Sequence, residues 1–143
     1  MEPQPLTTER LGAWAKNNNL SFSWNNDSEL YIPFRNAVVS IQLNGPRLRA
    51  IGVWRGRADS ELDMQMLRQH ANDMNRQNVV PKAYVVDKNK LLALEYAHLV
   101  DLGLTDEQLD GILGTVMAAM LQQIEKLDEK FAHMIPGQEG ASK

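Results

Sequence analysis

The chain has 143 residues, a net charge of −3, 43% hydrophobic and 23% charged residues, and no cysteine. That length suits one domain with its own core, and such ordinary composition excludes wholesale disorder. The missing cysteines exclude disulfides, thiolate nucleophiles and cysteine metal sites.

The opening "MEPQPLTTER" has neither a basic n-region nor an apolar core, so it is not expected to be a signal peptide. The longest apolar run, "ILGTVMAAML", is ten residues between charged flanks; a membrane span needs about 20. The expectation is a cytoplasmic protein with no membrane contact. Charge is uneven along the chain: residues 1–34 carry net −2, residues 35–58 carry five arginines and no acid, and residues 59–143 carry net −6.

Thr7 is a plausible N-cap for a first helix over Thr8 to Asn17, with Leu6 and Leu11 placed as a hydrophobic staple. Asn17-Asn18-Asn19 ends it. Leu20, Phe22 and Trp24 alternate as one face of a strand, and a second extended piece runs through Leu30, Ile32 and Phe34, with Pro33 pointing to an edge or bulge. Ala37, Val39, Ile41 and Leu43 alternate again. Asn44-Gly45-Pro46 turns the chain into a strand over Arg47 to Arg55, so three or four strands form an antiparallel meander.

Asp59 or Ser60 caps a second helix whose inner stripe reads Leu62, Met66 or Leu67, Ala71 and Met74. Pro81 fixes its own φ and biases Val80 away from helix, so "NVVPK" is a junction, with Val79 and Val80 plugging the seam between helix and sheet. Strands follow at Ala83 to Val86 and Leu91 to Val100. Thr105 with Gln108 forms a capping box for a third helix running to about Met134. Residues 1–134 are expected to form a single domain and 135–143 a flexible tail.

No local constellation supports catalysis. His70, His98 and His133 have no metal-site spacing; His98 falls on an apolar strand face, and His70 and His133 read as surface positions. "GVWRGR" lacks the P-loop pattern, and no GxSxG elbow is present. Glu95, inside an apolar strand, reads as a solvent-facing side chain. The expectation is a non-enzyme with no cofactor or metal.

The arginine strand is the most informative feature. If regular, it places Arg47, Arg49, Ile51, Val53, Arg55 and Arg57 on one face, and Leu48, Ala50, Gly52 and Trp54 on the other. An apolar centre rimmed by arginines resembles a contact surface, and these six residues are the candidate partner-binding site. A nucleic-acid-associated regulator using these arginines and Arg35 is the alternative. It is disfavoured because no aromatic interleaves them and the chain is acidic. A third reading is a small-molecule sensor with a pocket between sheet and third helix, lined by some of the seven methionines.

"WRGR" (54–57), "MNRQNVVPKAYV" (74–85) and "VDLGLTDEQLDGIL" (100–113) resemble the YbjN-domain family of bacterial sensory transduction regulators, over about residues 5 to 131. The chain departs from that pattern at Met74 and Gln122-Gln123, where aromatic residues are common. The resemblance implies an α+β fold similar to type III secretion chaperones: helix, three-stranded meander, helix, two strands, long helix. It also implies an unidentified protein partner, frequent dimerisation and no catalytic residues to carry over.

The third helix keeps an apolar stripe to Phe131. Thirty residues would span about 45 Å, against about 37 Å for the diameter of a compact chain of this length. Ile124, Leu127 and Phe131 are therefore the candidate contacts of a homodimer. Gly111 and Gly114 suggest close packing or a bend near the start of that helix.

Overall fold

Three hydroxyls start the three long helices. Thr7 Oγ1 accepts the Arg10 amide at 3.2 Å, Ser60 Oγ the Asp63 amide at 3.1 Å, and Thr105 Oγ1 the Gln108 amide at 3.1 Å. The Gln108 side chain returns a bond to the Thr105 amide at 2.8 Å and closes the capping box. These caps are sequence-local, and the helix starts fall where the sequence puts them.

The structure is a computed structural model and describes residues 2–136. In chain order it has α1 (Thr8–Asn17), β1 (Ser23–Asn26), β2 (Glu29–Pro33), β3 (Ala37–Asn44), β4 (Arg47–Trp54), α2 (Glu61–Gln77), β5 (Lys82–Val86), β6 (Leu91–Leu99), α3 (Asp106–Lys130) and a 3-10 turn (Ala132–Met134). The strands form one antiparallel sheet in the order β1-β2-β3-β4-β6-β5. The meander has four strands, one more than the resemblance implied, and the β5–β6 hairpin joins it through β6.

Strand alternation sends one parity inward. Leu30, Ile32, Val39, Ile41, Leu48, Ala50, Trp54, Leu92 and Leu94 are buried against the helices. Helix α3 crosses β4 at Gly52, where a Cβ would stand 3.2 Å from Met120 Sδ; the missing side chain lets the helix approach the sheet. Met64, Met74, Met117, Met120 and Met134 are all buried core residues, so these five fill the helix–sheet layer.

The far edge strand, β5, is closed by a side chain. Asn75 of α2 donates to Ala83 O at 2.9 Å and accepts from Ala83 N at 2.8 Å. One amide thus does what a seventh strand would do for that residue. Lys82 lies over the Tyr84 ring at 5.6 Å.

Several expectations are corrected. The first strand starts at Ser23, not Leu20, and all four of its residues are exposed, because it is an edge strand with only β2 beside it. Pro81 is buried at the junction, but Val79 is 97% and Val80 38% exposed, so they do not plug the seam. On α2, Leu62 and Met66 are exposed while Asp63, Met64 and Leu67 are buried; the helix is rotated from the expected phase in its first turns. Gly111 and Gly114 face open space, with nothing within 4 Å of an added Cβ.

The largest correction concerns the end of α3. The helix has 25 residues, about 37 Å at 1.5 Å per residue, which no longer exceeds the body it covers. Phe131 caps it, and the chain turns back through Ala132–Met134, with the Arg57 amide bonding Met134 O at 2.9 Å. Ile124, Leu127 and Phe131 are 5%, 0% and 1% exposed within their own chain. They are core residues, and none offers surface to a second subunit. Of the segment expected to be a tail, residues 137–143 lie outside the described residues, and Ile135 and Pro136 follow the 3-10 turn.

Candidate protein interface

The hydrogen-bond register of β4 fixes which of its side chains leave the core. Arg47, Arg49, Ile51 and Val53 point away from the helices, with Leu48, Ala50, Gly52 and Trp54 beneath, as expected. Ile51 lies between Ser40 on β3 and Glu95 on β6; Val53 lies between Val38 and Ala93, with Tyr84 beyond on β5. The helix–sheet approaches of Met120 to Gly52 and Asn75 to Ala83 are to the opposite parity. Val38, Ile51, Val53 and Tyr84 therefore keep part of their surface in solvent.

Arg49 is not a free rim charge. Its Nε donates to Glu95 Oε2 at 2.9 Å and its Nη2 to Glu95 Oε1 at 3.1 Å, and the Tyr84 hydroxyl adds a bond to Oε1 at 3.0 Å. Glu95 is only 15% exposed, so it is a bridging group rather than the plain solvent-facing acid expected. The Arg49 guanidinium first, and the Tyr84 hydroxyl after it, hold its carboxyl below the usual range against the opposing effect of burial. Burial first, then the Glu95 carboxylate, pushes the Tyr84 phenol up.

A second carboxylate on this face went unread in the sequence. Glu29 Oε2 accepts from Ser40 Oγ at 2.6 Å and from Gln42 Nε2 at 2.7 Å, and Asn25 bonds its other oxygen. The Ser40 bond leads in lowering its pKa, and Asn25 and Gln42 add to it against the cost of burial. The available signal was the alternation of Val38, Ser40 and Gln42 with apolar residues on β3.

β4 ends at Trp54, so Arg55 and Arg57 leave the regular face. The Arg55 amide bonds Asn36 O at 2.9 Å, and its Nε and Nη2 reach Phe34 O at 3.2 and 3.0 Å. Beside them a groove of about 590 Å³ opens at one end of the sheet, lined by Arg35, Arg55, Arg57, Val53, Leu91 and Ile135 among others. Beneath it, Asp128 of α3 accepts the Trp54 indole N–H at 2.8 Å and the Asn36 amide at 2.6 Å. Trp54 is fully buried, and Gly56 is required beside it: a Cβ there would stand 2.3 Å from the indole ring.

The histidines take structural positions. His98 Nδ1 is 2.9 Å from the Tyr96 hydroxyl. His133, exposed as expected, bonds Asp63 Oδ1 at 3.0 Å. His70 is half-buried rather than a plain surface position: it stacks edge-on against Phe131, its Nε2 is buried without a partner among the described residues, and burial lowers its pKa, with Lys130 adding to the effect.

The six candidate residues thus divide. Arg47, Ile51 and Val53 stay on the open face, Arg49 is bound into it, and Arg55 and Arg57 sit at its end. Among the described residues, no helix is long and apolar enough to cross a membrane.

Comparison with known proteins agrees with this architecture. No curated protein matches the chain. Among solved structures it is similar to the crystal structure of YbjN, "a putative transcription regulator from E. coli", at 17% identity and a TM-score of 0.74, over 90% of this chain and 96% of that one. It is also similar to the HopA1–SchA chaperone–effector complex, at 13% identity and a TM-score of 0.55, over 87% of this chain and 99% of that one. These likenesses show the fold, which is α+β and type III secretion chaperone-like. The YbjN family, described as "Putative bacterial sensory transduction regulator", matches residues 7–129, and the chain belongs to that family.

Proposed function

We propose that this protein is a non-catalytic, protein-binding module with a regulatory or chaperone-like role in the bacterial cytoplasm. One observation carries the reading: among the described residues the helices cover one face of the sheet, and the other face holds Val38, Ile51 and Val53 half-buried among arginines. An apolar centre with a charged rim is the layout of a contact surface. The family description and the similarity to a chaperone–effector complex agree with it. Self-association belongs to the same proposal, through the open sheet face rather than the end of α3, whose Ile124, Leu127 and Phe131 are buried in their own chain.

Photo-crosslinking in the source cell tests this. A benzophenone side chain at Val53 is expected to form a discrete adduct with protein, and the same group at Gln69 on the exposed side of α2 is not. Adducts with nucleic acid, or equal adducts from both positions, would overturn the reading.

A further inference from the structure

The groove at the end of the open face carries a more specific inference, which rests on the protein-binding reading of that face. Three of its lining side chains are arginines: Arg35, Arg55 and Arg57. Among the described residues, none of the three has a carboxylate within ion-pair distance, whereas Arg10, Arg49 and Arg76 each have one and Arg68 has two. Among the described residues, no acid lines the groove. The described lining therefore carries three positive charges, with Asp128 beneath it committed to Trp54 and Asn36, on a chain whose total is −3. The lining also includes the aliphatic side chains of Val53, Leu91 and Ile135.

The site is also held rigid from below. Asp128 fixes both Trp54 and Asn36, the Asn36 carbonyl fixes the Arg55 backbone, and the Met134 carbonyl fixes that of Arg57. Held this way, the groove loses little backbone freedom on binding, which favours affinity. Its volume of about 590 Å³ suits a few side chains rather than a whole domain.

We propose that this groove binds a short acidic segment of a partner protein, with carboxylates on Arg35, Arg55 and Arg57 and aliphatic side chains against Val53, Leu91 and Ile135. Arginine matches a carboxylate with two parallel donors. Nucleic acid fits less well. The one aromatic in the lining, Trp54, is fully buried and its N–H is committed to Asp128, so no ring is free to stack a base.

Fluorescence anisotropy with labelled probes tests the proposal on the full chain. The probes are a nonapeptide of alternating glutamate and leucine, its lysine–leucine and glutamate–serine counterparts, and an oligothymidylate. The glutamate–leucine peptide is expected to bind at least tenfold more tightly than each of the others. Arg35→Gln combined with Arg57→Gln is expected to weaken it at least tenfold, and Arg76→Gln on α2 to leave it unchanged. Tighter binding of the oligothymidylate, or peptide binding indifferent to the double substitution, would overturn the proposal. So would an absence of peptide binding in the full chain that is restored by truncation after Pro136, since residues 137–143 would then be the occupant. If the peptide fails while Val53 still crosslinks protein, the acidic specificity is wrong and the interface reading stands.

Discussion

Asp128 of α3 accepts the indole N–H of Trp54 at 2.8 Å, and so pins the last turns of the helix to the end of β4. Its second oxygen holds Asn36 at 2.6 Å. Substituting alanine leaves the buried indole N–H without a partner, and an unsatisfied buried donor costs about 1–3 kcal/mol. Asp128→Ala is expected to lower the unfolding free energy obtained from urea titration by that amount. Asp128→Asn, which still offers one acceptor oxygen, is expected to lose about half as much. Equal losses for the two would mean the carboxylate acts through its charge rather than through these bonds.

Arg49 and Glu95 make the second prediction. Removing only Arg49 leaves a mostly buried carboxylate unpaired, while removing both partners does not. Arg49→Met is expected to destabilise by about 1–3 kcal/mol, and Arg49→Met with Glu95→Leu by less. The pH dependence follows from the direction of the shift. Glu95 is held below its ordinary value of 4.5 in the fold, so its contribution is present above the unfolded value and lost as pH falls through the folded one. Glu95→Gln is expected to flatten the acid limb of a stability–pH curve in that window. An acid limb unchanged by Glu95→Gln would show that other carboxylates carry it.

Two glycines are expected to respond in opposite ways to alanine. Gly103 has φ +77°, and a Cβ there would stand 2.6 Å from Gln4 O, so Gly103→Ala meets both backbone strain and a backbone clash. A loss of about 1–3 kcal/mol is expected. Gly114 lies on the exposed side of α3 with open space around it, and alanine there is expected to stabilise by up to about 1 kcal/mol through helix propensity. Melting temperatures of the two variants decide; a destabilising Gly114→Ala would reveal a packed surface at that position.

Asn75 makes the fourth. Its two bonds to Ala83 stand where a neighbouring strand would pair. Asn75→Ala is expected to cost about 1 kcal/mol and to speed hydrogen exchange at the Ala83 amide selectively, with the β3–β4 amides unchanged. Uniform acceleration across the sheet would mean the loss is global rather than a local opening of the β5 edge.

How much of the interface was legible follows from the same residues. The parity of Arg47, Arg49, Ile51 and Val53 is written in the alternation of one strand. The partners of Arg49 are not: Glu95 is 46 residues away in sequence and becomes its neighbour only because β6 pairs with β4. The groove is further from reach, because it assembles Arg35, Arg57, Leu91 and Ile135 from four separate segments.

The sequence by itself determined the helix starts, the alternation of β3 and β4 and the break at Pro81, because a cap, a two-residue period and a fixed φ each act within a few residues. It also determined the absence of thiol chemistry. The tertiary structure decided what the end of α3 does. An apolar stripe through Ile124, Leu127 and Phe131 reads the same whether it meets a second subunit or its own sheet. The choice was made by the turn at Phe131 and by Asp128 reaching Trp54, 74 residues earlier in the chain. Hydrophobic burial has no direction of its own, and which surface satisfies it is settled by long-range geometry that no local pattern encodes.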